Sequence, residues 1–290
     1  MNNIGTFYVV STPIGNLKDI TIRAIECLKK VSLIAAEDTR RTQKLLSHLN
    51  IKCKIISCHE HNELKRFNEI YKVLKKGHSV ALVSDAGNPG ISDPGARLIS
   101  KLREEDVEII PIPGPSAVSC ALSICGMPAD SFYFVGFLPQ KKKERQKILS
   151  EIKDIAALLV FFEAPHRIKK TLSDILKELG NRKIFFAREM TKRHETYILT
   201  TLEQLLDELP AEIRGEITFV VEGVSKQKPK ETPKQCPKEL EELIKLIMSN
   251  KKSRIKEVAE IISALLDINK SVIYNYCLQI QNALNGQVSK

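Results

Sequence analysis

Ser84–Gly95 reads SDAGNPGISDPG and follows directly on the apolar run Val80, Ala81, Leu82, Val83. Its twelve residues hold three Gly, two Pro, two Asp and two Ser. An apolar run of this length reads as a buried strand. Its collapse into Gly, Pro and Asp makes an irregular loop at the strand's carboxyl end, where open α/β sheets hold their ligands. Gly87, Gly90 and Gly95 admit backbone angles that other residues avoid and let the main chain approach a ligand. Two similar breaks occur at Ser11–Asn16 (STPIGN) and Pro111–Ala117 (PIPGPSA). One such loop alone is read as a turn. Three at strand ends are read as the lining of one pocket.

Working outward, strand signals at Thr6–Val10, Leu33–Ala36, Lys54–Ser57, Val80–Val83 and Glu108–Ile110 alternate with helical stripes. The helices fall at about Asp19–Lys30, Arg40–Leu49, Glu60–Lys76 and Ala96–Arg103, and Ser116 is placed to cap one running toward Cys125. Strands alternating with helices imply a parallel sheet. After a break at Gly126–Asp130 the pattern resumes with strands at Phe132–Val135, Ala157–Phe162, Ile184–Ala187 and Glu216–Val221. A basic helix from Lys141 and a helix over Ile168–Leu179, ended by Gly180, lie between them. The chain therefore divides into an α/β domain at 1–126, a second, smaller one at 127–225, a linker at 226–237 and a helical segment at 238–290. The linker is read from Pro, Lys and Gln with almost no apolar residues. The last segment carries helical patterns at Leu240–Met248, around Ile255–Leu266 and from Val272, with a short turn at Asp267–Lys270.

The 290 residues carry a net charge of +10, with 43% hydrophobic and 28% charged residues. That composition belongs to a soluble globular protein, and the charge favours a polyanionic partner. No apolar run approaches a membrane span, and the N-terminus has no signal-peptide pattern. Seven scattered cysteines without a CxxC pair read as reduced thiols in the cytosol.

No GxGxxG or GxxxxGK[ST] follows a strand, which counts against dinucleotide or P-loop chemistry. His61-Asn62-Glu63 lacks the PCxxC partner of a zinc deaminase. Cys58-His59-Glu60-His61 has no structural zinc spacing, and no metal site is assigned. Glu37-Asp38-Thr39-Arg40-Arg41 and His59-Glu60-His61-Asn62 each follow a strand. Together they can place carboxylates, an imidazole and a guanidinium around one cleft. Glu163–Arg167 and Arg188–Glu195 put further charges at strand ends of the second domain.

The segments STPIGNLKDITIRA, AAEDTRRTQKLL, HEHNE, SDAGNPGISDPG, PGPSAV, GFLP, FFEAPHR, REMTKRHE and GEITFVVEG occur in order. Together they resemble the tetrapyrrole methylase superfamily, most specifically its bacterial branch that 2′-O-methylates a cytidine in small-subunit rRNA. The chain departs from that pattern at Asn88, where Thr is common, and at Cys58, where an aromatic is common. The resemblance implies two α/β domains with S-adenosylmethionine (SAM) in the cleft between them, a small C-terminal helical segment and a homodimer. It places the methyl donor against Pro13 and Gly15, against Ala86, Gly87, Asn88 and Ile91, against Ser116 and Ala117, and against Glu163, Met190 and Thr191. The implied substrate is a cytidine ribose of 16S rRNA in the small ribosomal subunit, methylated in the cytoplasm with no membrane involved. Asp38, His59, Glu60 and Asp85 are the candidates for a general base, and Arg40, Lys192 and Arg193 for binding RNA phosphate. The runner-up is a tetrapyrrole C-methyltransferase of the same fold, against which the EDTRRT and HEHNE segments argue.

Overall fold

The computed structural model describes residues 4–224, 238–248, 254–266 and 270–287. Residues 1–224 make one compact unit and 225–290 a second.

The first half of the larger unit alternates strand and helix throughout. Its elements are β1 (Phe7–Val10), α1 (Ile22–Lys30), β2 (Leu33–Ala36), α2 (Thr39–His48), β3 (Lys54–Ser57), α3 (Glu63–Lys75), β4 (Val80–Val83), α4 (Ala96–Glu104), β5 (Ile109–Ile112) and α5 (Ala117–Ile124). The strands pair in the order β3-β2-β4-β1-β5, and every pairing is parallel. All five carboxyl ends therefore lie at one edge, as the alternation predicts. α1 and α2 bury Ala24, Cys27, Leu28 and Leu46 on one face, while α3 and α4 bury Phe67, Ile70, Leu74, Leu98 and Leu102 on the other. β1 and β4 are neighbours, yet the chain leaves them for opposite faces. That is the switch point at which open α/β sheets form a crevice.

Two helix starts differ from the sequence pattern, each for a local reason. Leu17–Asp19 forms a separate 3-10 turn, and α1 begins only after Thr21, whose hydroxyl accepts the Ala24 N–H at 3.2 Å. α3 begins at Glu63 rather than Glu60, because the Asn62 carboxamide accepts the His59 N–H at 2.8 Å and folds 59–62 into a turn. Ser116 holds the N-cap position of α5, but no side-chain capping bond forms there among the described residues. Its carbonyl accepts from the Ser119 hydroxyl at 3.2 Å instead.

The second half contains β6 (Phe132–Phe137), α6 (Lys142–Ile152), β7 (Leu158–Glu163), α7 (Ile168–Leu179), β8 (Lys183–Arg188), β9 (Thr196–Thr201), α8 (Leu202–Glu208) and β10 (Ile217–Val221). Its sheet runs β6-β7-β10-β8-β9 and is mixed: β6 and β7 are parallel, the remaining pairs antiparallel. β9 and α8 are not anticipated by the sequence reading. α6, α7 and α8 cover one face, where Phe161 and Phe219 stack with centroids 4.9 Å apart. Burying each such side chain contributes roughly 1.5–3 kcal/mol. α5 covers the other face, packing Ala121 and Cys125 against Val160, Phe185 and Val220, and Ile14 of the first loop joins this cluster. α5 and that loop thus join the two sheets.

The smaller unit is a helical bundle of α9 (Lys238–Met248), α10 (Ile255–Leu266) and α11 (Lys270–Gln287). Its core holds Ile244, Val258, Ala259, Ile262, Ile273 and Cys277. The expected linker at 226–237, and 267–269 of the expected turn, lie outside the described residues.

Candidate active site

The three loops singled out in the sequence converge. Thr12 and Gly87 form an isolated antiparallel bridge, with Thr12 N–H donating to the Gly87 carbonyl at 2.9 Å and Gly87 N–H to the Thr12 carbonyl at 3.0 Å. The bridge zips the loop after β1 to the loop after β4. Asn88 is fixed from below by the Ser11 hydroxyl, which hydrogen-bonds its carboxamide oxygen. At the far end of the same loop, Gly95 N–H donates to the buried Glu63 carboxylate at 2.8 Å. Gly95 has φ +127, and a Cβ there would lie 2.6 Å from the Leu82 side chain, so only glycine suits the position.

Between the sheets these loops line a cleft of about 810 Å³, counting its open mouth. Ala86, Gly87, Asn88, Ile91, Ser116, Ala117 and Met190 all lie on its wall, joined by Ile14, Val118, Phe137 and Phe162. These seven sequence-predicted cofactor positions come together. The wall suits a ligand with an apolar body and charged ends. Side chains of Ile14, Ile91, Val118 and Phe162 supply the apolar part, and Asp93 and Glu216 add polar groups to the wall, the Glu216 carboxylate being paired with Lys192. The first-turn N–H groups of α5 lack intrahelical acceptors by helix geometry and favour an anionic group.

Pro13 and Gly15 lie in an adjoining recess with Asp85, Arg41 and Lys192; Ile14, Ala86 and Glu216 belong to both. Gly15 packs directly against the loop after β8. A Cβ there would stand 2.6 Å from the Thr191 hydroxyl and 2.8 Å from the Met190 carbonyl oxygen. Next to it, Asn16 N–H donates to the Thr191 hydroxyl at 3.0 Å. Thr191 thus joins the first loop to the loop after β8. Glu163 stands apart from the other predicted cofactor residues. Its carboxylate is buried, accepts from the Thr171 hydroxyl at 2.6 Å and from Ala164 N–H at 2.8 Å, and lies 3.4 Å from Arg167. It is absent from the walls of both recesses. Arg167 in turn donates to the Leu138 carbonyl at 2.7 Å, so FFEAPHR secures GFLP just beyond Phe137.

The candidate bases separate. Asp38 caps α2, accepting the Arg40 N–H at 2.8 Å and holding the Arg40 guanidinium at 2.7 Å. The bond to the guanidinium, followed by the backbone bond, keeps this carboxyl well below the usual range and makes it a weak proton acceptor. Asp85 braces the loop: one oxygen accepts the Asp38 N–H at 3.0 Å, and the other lies 3.5 Å from Arg41. His59 and Glu60 line a second groove with Glu37, His61, Glu63 and Arg97. Cys58 is buried among Phe67 and Leu98, and burial pushes its thiol up to about 11.

Of the predicted phosphate cations, Arg40 is already paired with Asp38. Lys192 is held between Glu189 at 2.8 Å and Glu216 at 2.9 Å, and Arg193 follows it on the same loop.

Asp93, in the decisive loop, was not among the predicted site residues. It lines both the cleft and the second groove. Burial, then the neighbouring Glu37 charge, pushes its carboxyl up to about 7, against a hydrogen bond from Ser84. Glu37 is itself raised, chiefly by burial. No local sequence signal marks Asp93, because its acidic neighbours arrive from β2 and from the start of its own loop.

The family model describing tetrapyrrole (corrin/porphyrin) methylases matches residues 6–206. A Halalkalibacterium halodurans protein named ribosomal RNA small subunit methyltransferase I is 50% identical over 200 residues, covering 69% of each chain. The protein of the same name from Vibrio cholerae is 48% identical over 71% of this chain and 72% of its own. The one from Bacillus subtilis is 44% identical over 71% and 70%. Among solved structures, the methyltransferase CobJ superposes with a TM-score of 0.59 at 19% identity, covering 76% of this chain and 95% of that one. The cobalt precorrin-4 methyltransferase CbiF superposes with a TM-score of 0.57 at 16% identity, covering 75% and 94%. The two-sheet architecture is therefore shared widely, while the sequence likeness is narrower. With its loops, its cleft and residues 6–206 all following that pattern, the chain belongs to the tetrapyrrole methylase family.

Proposed function

We propose that this protein transfers the methyl group of SAM to the ribose 2′-hydroxyl of a cytidine in 16S rRNA of the small ribosomal subunit. The observation that carries the reading is the 50% identity, over two-thirds of both chains, to a protein named ribosomal RNA small subunit methyltransferase I. The net charge of +10 suits an RNA partner. A protein acting on ribosomal subunits would work in the cytoplasm, and the family resemblance implies a homodimer. No helix among the described residues is long and apolar enough to cross a membrane.

SAM supplies, when bound, an electrophilic methyl group on a sulfonium. Ala86, Gly87, Asn88, Ile91, Ser116, Ala117 and Met190 would hold it. The protein's main task is then alignment, since fixing nucleophile and methyl carbon in line can lower a barrier by about 7–11 kcal/mol. The zipped loops Ser11–Asn16 and Ser84–Gly95 supply that rigidity. The groove carrying His59, Glu60, His61 and Arg97 adjoins the cleft and is the route by which a ribose would enter. Arg193, and Arg254 and Lys256 in the helical unit, are cations for the RNA backbone.

The test is transfer of labelled methyl from SAM to purified small subunits and to naked 16S rRNA. Labelling of either at one cytidine is expected. SAM binding with labelling of a tetrapyrrole and of no RNA would overturn the reading.

A further inference from the structure

We infer that Asp93 accepts the proton of the attacking ribose hydroxyl. The inference rests on the proposed function and assigns that site its base.

A base for this reaction must reach the methyl donor's cleft and the nucleophile's groove at once. Ser92 and Asp93 alone among the described residues line both. Of the pair, only Asp93 carries a group able to take a proton near neutral pH. Its surroundings are held in place on both sides. Gly90 N–H donates to the Pro94 carbonyl at 3.1 Å, and Gly95 is tied to Glu63 at 2.8 Å.

The groups that face Asp93 come from four parts of the sheet edge. Glu37 follows β2; Asp85 and the Ser84 hydroxyl follow β4. His59, Glu60, His61 and Glu63 follow β3 or open α3, and Arg97 opens α4. The carboxylates of Glu37 and Asp85 raise the proton affinity of Asp93, and the Ser84 bond lowers it. Asp38 and Asp85 do not share this setting, since each is occupied by backbone N–H groups and arginine.

In the step, the ribose 2′-oxygen forms an O–C bond to the methyl carbon as the C–S bond breaks, its electron pair staying on sulfur. The hydroxyl proton passes to the Asp93 carboxylate and then to water. Sulfonium and carboxylate become thioether and carboxylic acid, so charge balances.

The test combines kinetics with a titration that needs no turnover. Carboxyl ¹³C NMR of the unliganded protein is expected to show one signal titrating near pH 7 that is missing in Asp93→Asn. For wild type, kcat/KM for subunit methylation rises with pH through the same midpoint to a plateau. Asp93→Asn is expected to lose about 10²–10⁴-fold in rate and to lose the midpoint, with SAM affinity by calorimetry within about threefold. Asp93→Glu, which keeps a carboxylate, keeps a midpoint at reduced rate. Should Asp93→Asn fold poorly, the contrast between Asp93→Glu and His59→Ala decides. A wild-type midpoint unchanged in Asp93→Asn, or abolished by His59→Ala and not by Asp93→Asn, overturns the assignment. A wild-type protein that binds SAM and labels no RNA overturns the proposed function instead, whatever the NMR titration shows.

Discussion

Replacing Gly15 by alanine probes the contact on which the cleft depends. The new methyl group would lie 2.6 Å from Lys192 Cγ and the Thr191 hydroxyl, and 2.8 Å from the Met190 carbonyl. Lys192 Cγ belongs to a flexible chain and can yield. The Met190 carbonyl is backbone, and Thr191 sits at φ +66, so the loop after β8 must back away by several tenths of an ångström. Overpacking of this kind costs about 1–3 kcal/mol. The displaced segment also carries the 3.0 Å bond from Asn16 N–H to Thr191 and the Met190 wall of the cleft. If the whole strain falls on the bound geometry, SAM affinity drops roughly 5- to 150-fold. If it falls on folding, the melting temperature drops by about 2–12 °C. Calorimetric titration with SAM and a thermal melt on the same protein read both channels. A dissociation constant within twofold of wild type together with an unchanged melt would refute the claim that this contact shapes the cleft.

Three further outcomes follow from the geometry. Arg145 is buried with Asp174, its Nε donating at 2.8 Å and its Nη1 to the Pro139 and Gln140 carbonyls at 3.0 Å. Arg145→Leu strands the Asp174 charge and should lower unfolding free energy by about 3–5 kcal/mol in denaturant titration; a loss under 1 kcal/mol would show the pair to be dispensable. The Asp93 carboxyl sits near 7 when folded and near 4 when unfolded. Between those values the folded chain holds a proton that the unfolded chain has released. Stability should therefore fall as pH rises from about 4 to 7 and level off above, and Asp93→Asn should melt higher than wild type at pH 8. A lower melt at that pH would contradict the burial argument. Arg193→Ala is expected to flatten the log–log salt dependence of RNA binding by about one unit. Lys192→Ala, whose ammonium is already shared by Glu189 and Glu216, should change that slope less. Equal slopes for the two variants would show that Lys192 leaves its carboxylates for RNA.

The parts of the fold legible in the sequence were those written locally. Apolar runs ending in Gly, Pro and Asp marked β1, β4 and β5, and parallel pairing then placed all their loops at one edge. β9 was missed because TYILTT alternates weakly on an edge strand, with only one face packed. α8 was missed with it, since seven residues give little periodicity. Seven of the cofactor positions meet in the cleft because they sit on loops whose course glycine and proline dictate. Glu163 lies off the cleft wall, its carboxylate taken up by Thr171 and Ala164, and Lys192, expected to meet RNA phosphate, is held by Glu189 and Glu216, partners that other parts of the chain supply. Asp93 escaped notice for the same reason: what sets it apart is its burial, then the company of Glu37, which the adjacent strand β2 delivers.

The position of the transferred methyl group tests the account most directly. Small subunits incubated with this protein and labelled SAM are digested with alkali, which cleaves RNA only where the 2′-hydroxyl is free. The account predicts a labelled, alkali-resistant dinucleotide that nucleoside analysis resolves to 2′-O-methylcytidine. Label recovered wholly in mononucleotides carrying a methylated base would contradict it.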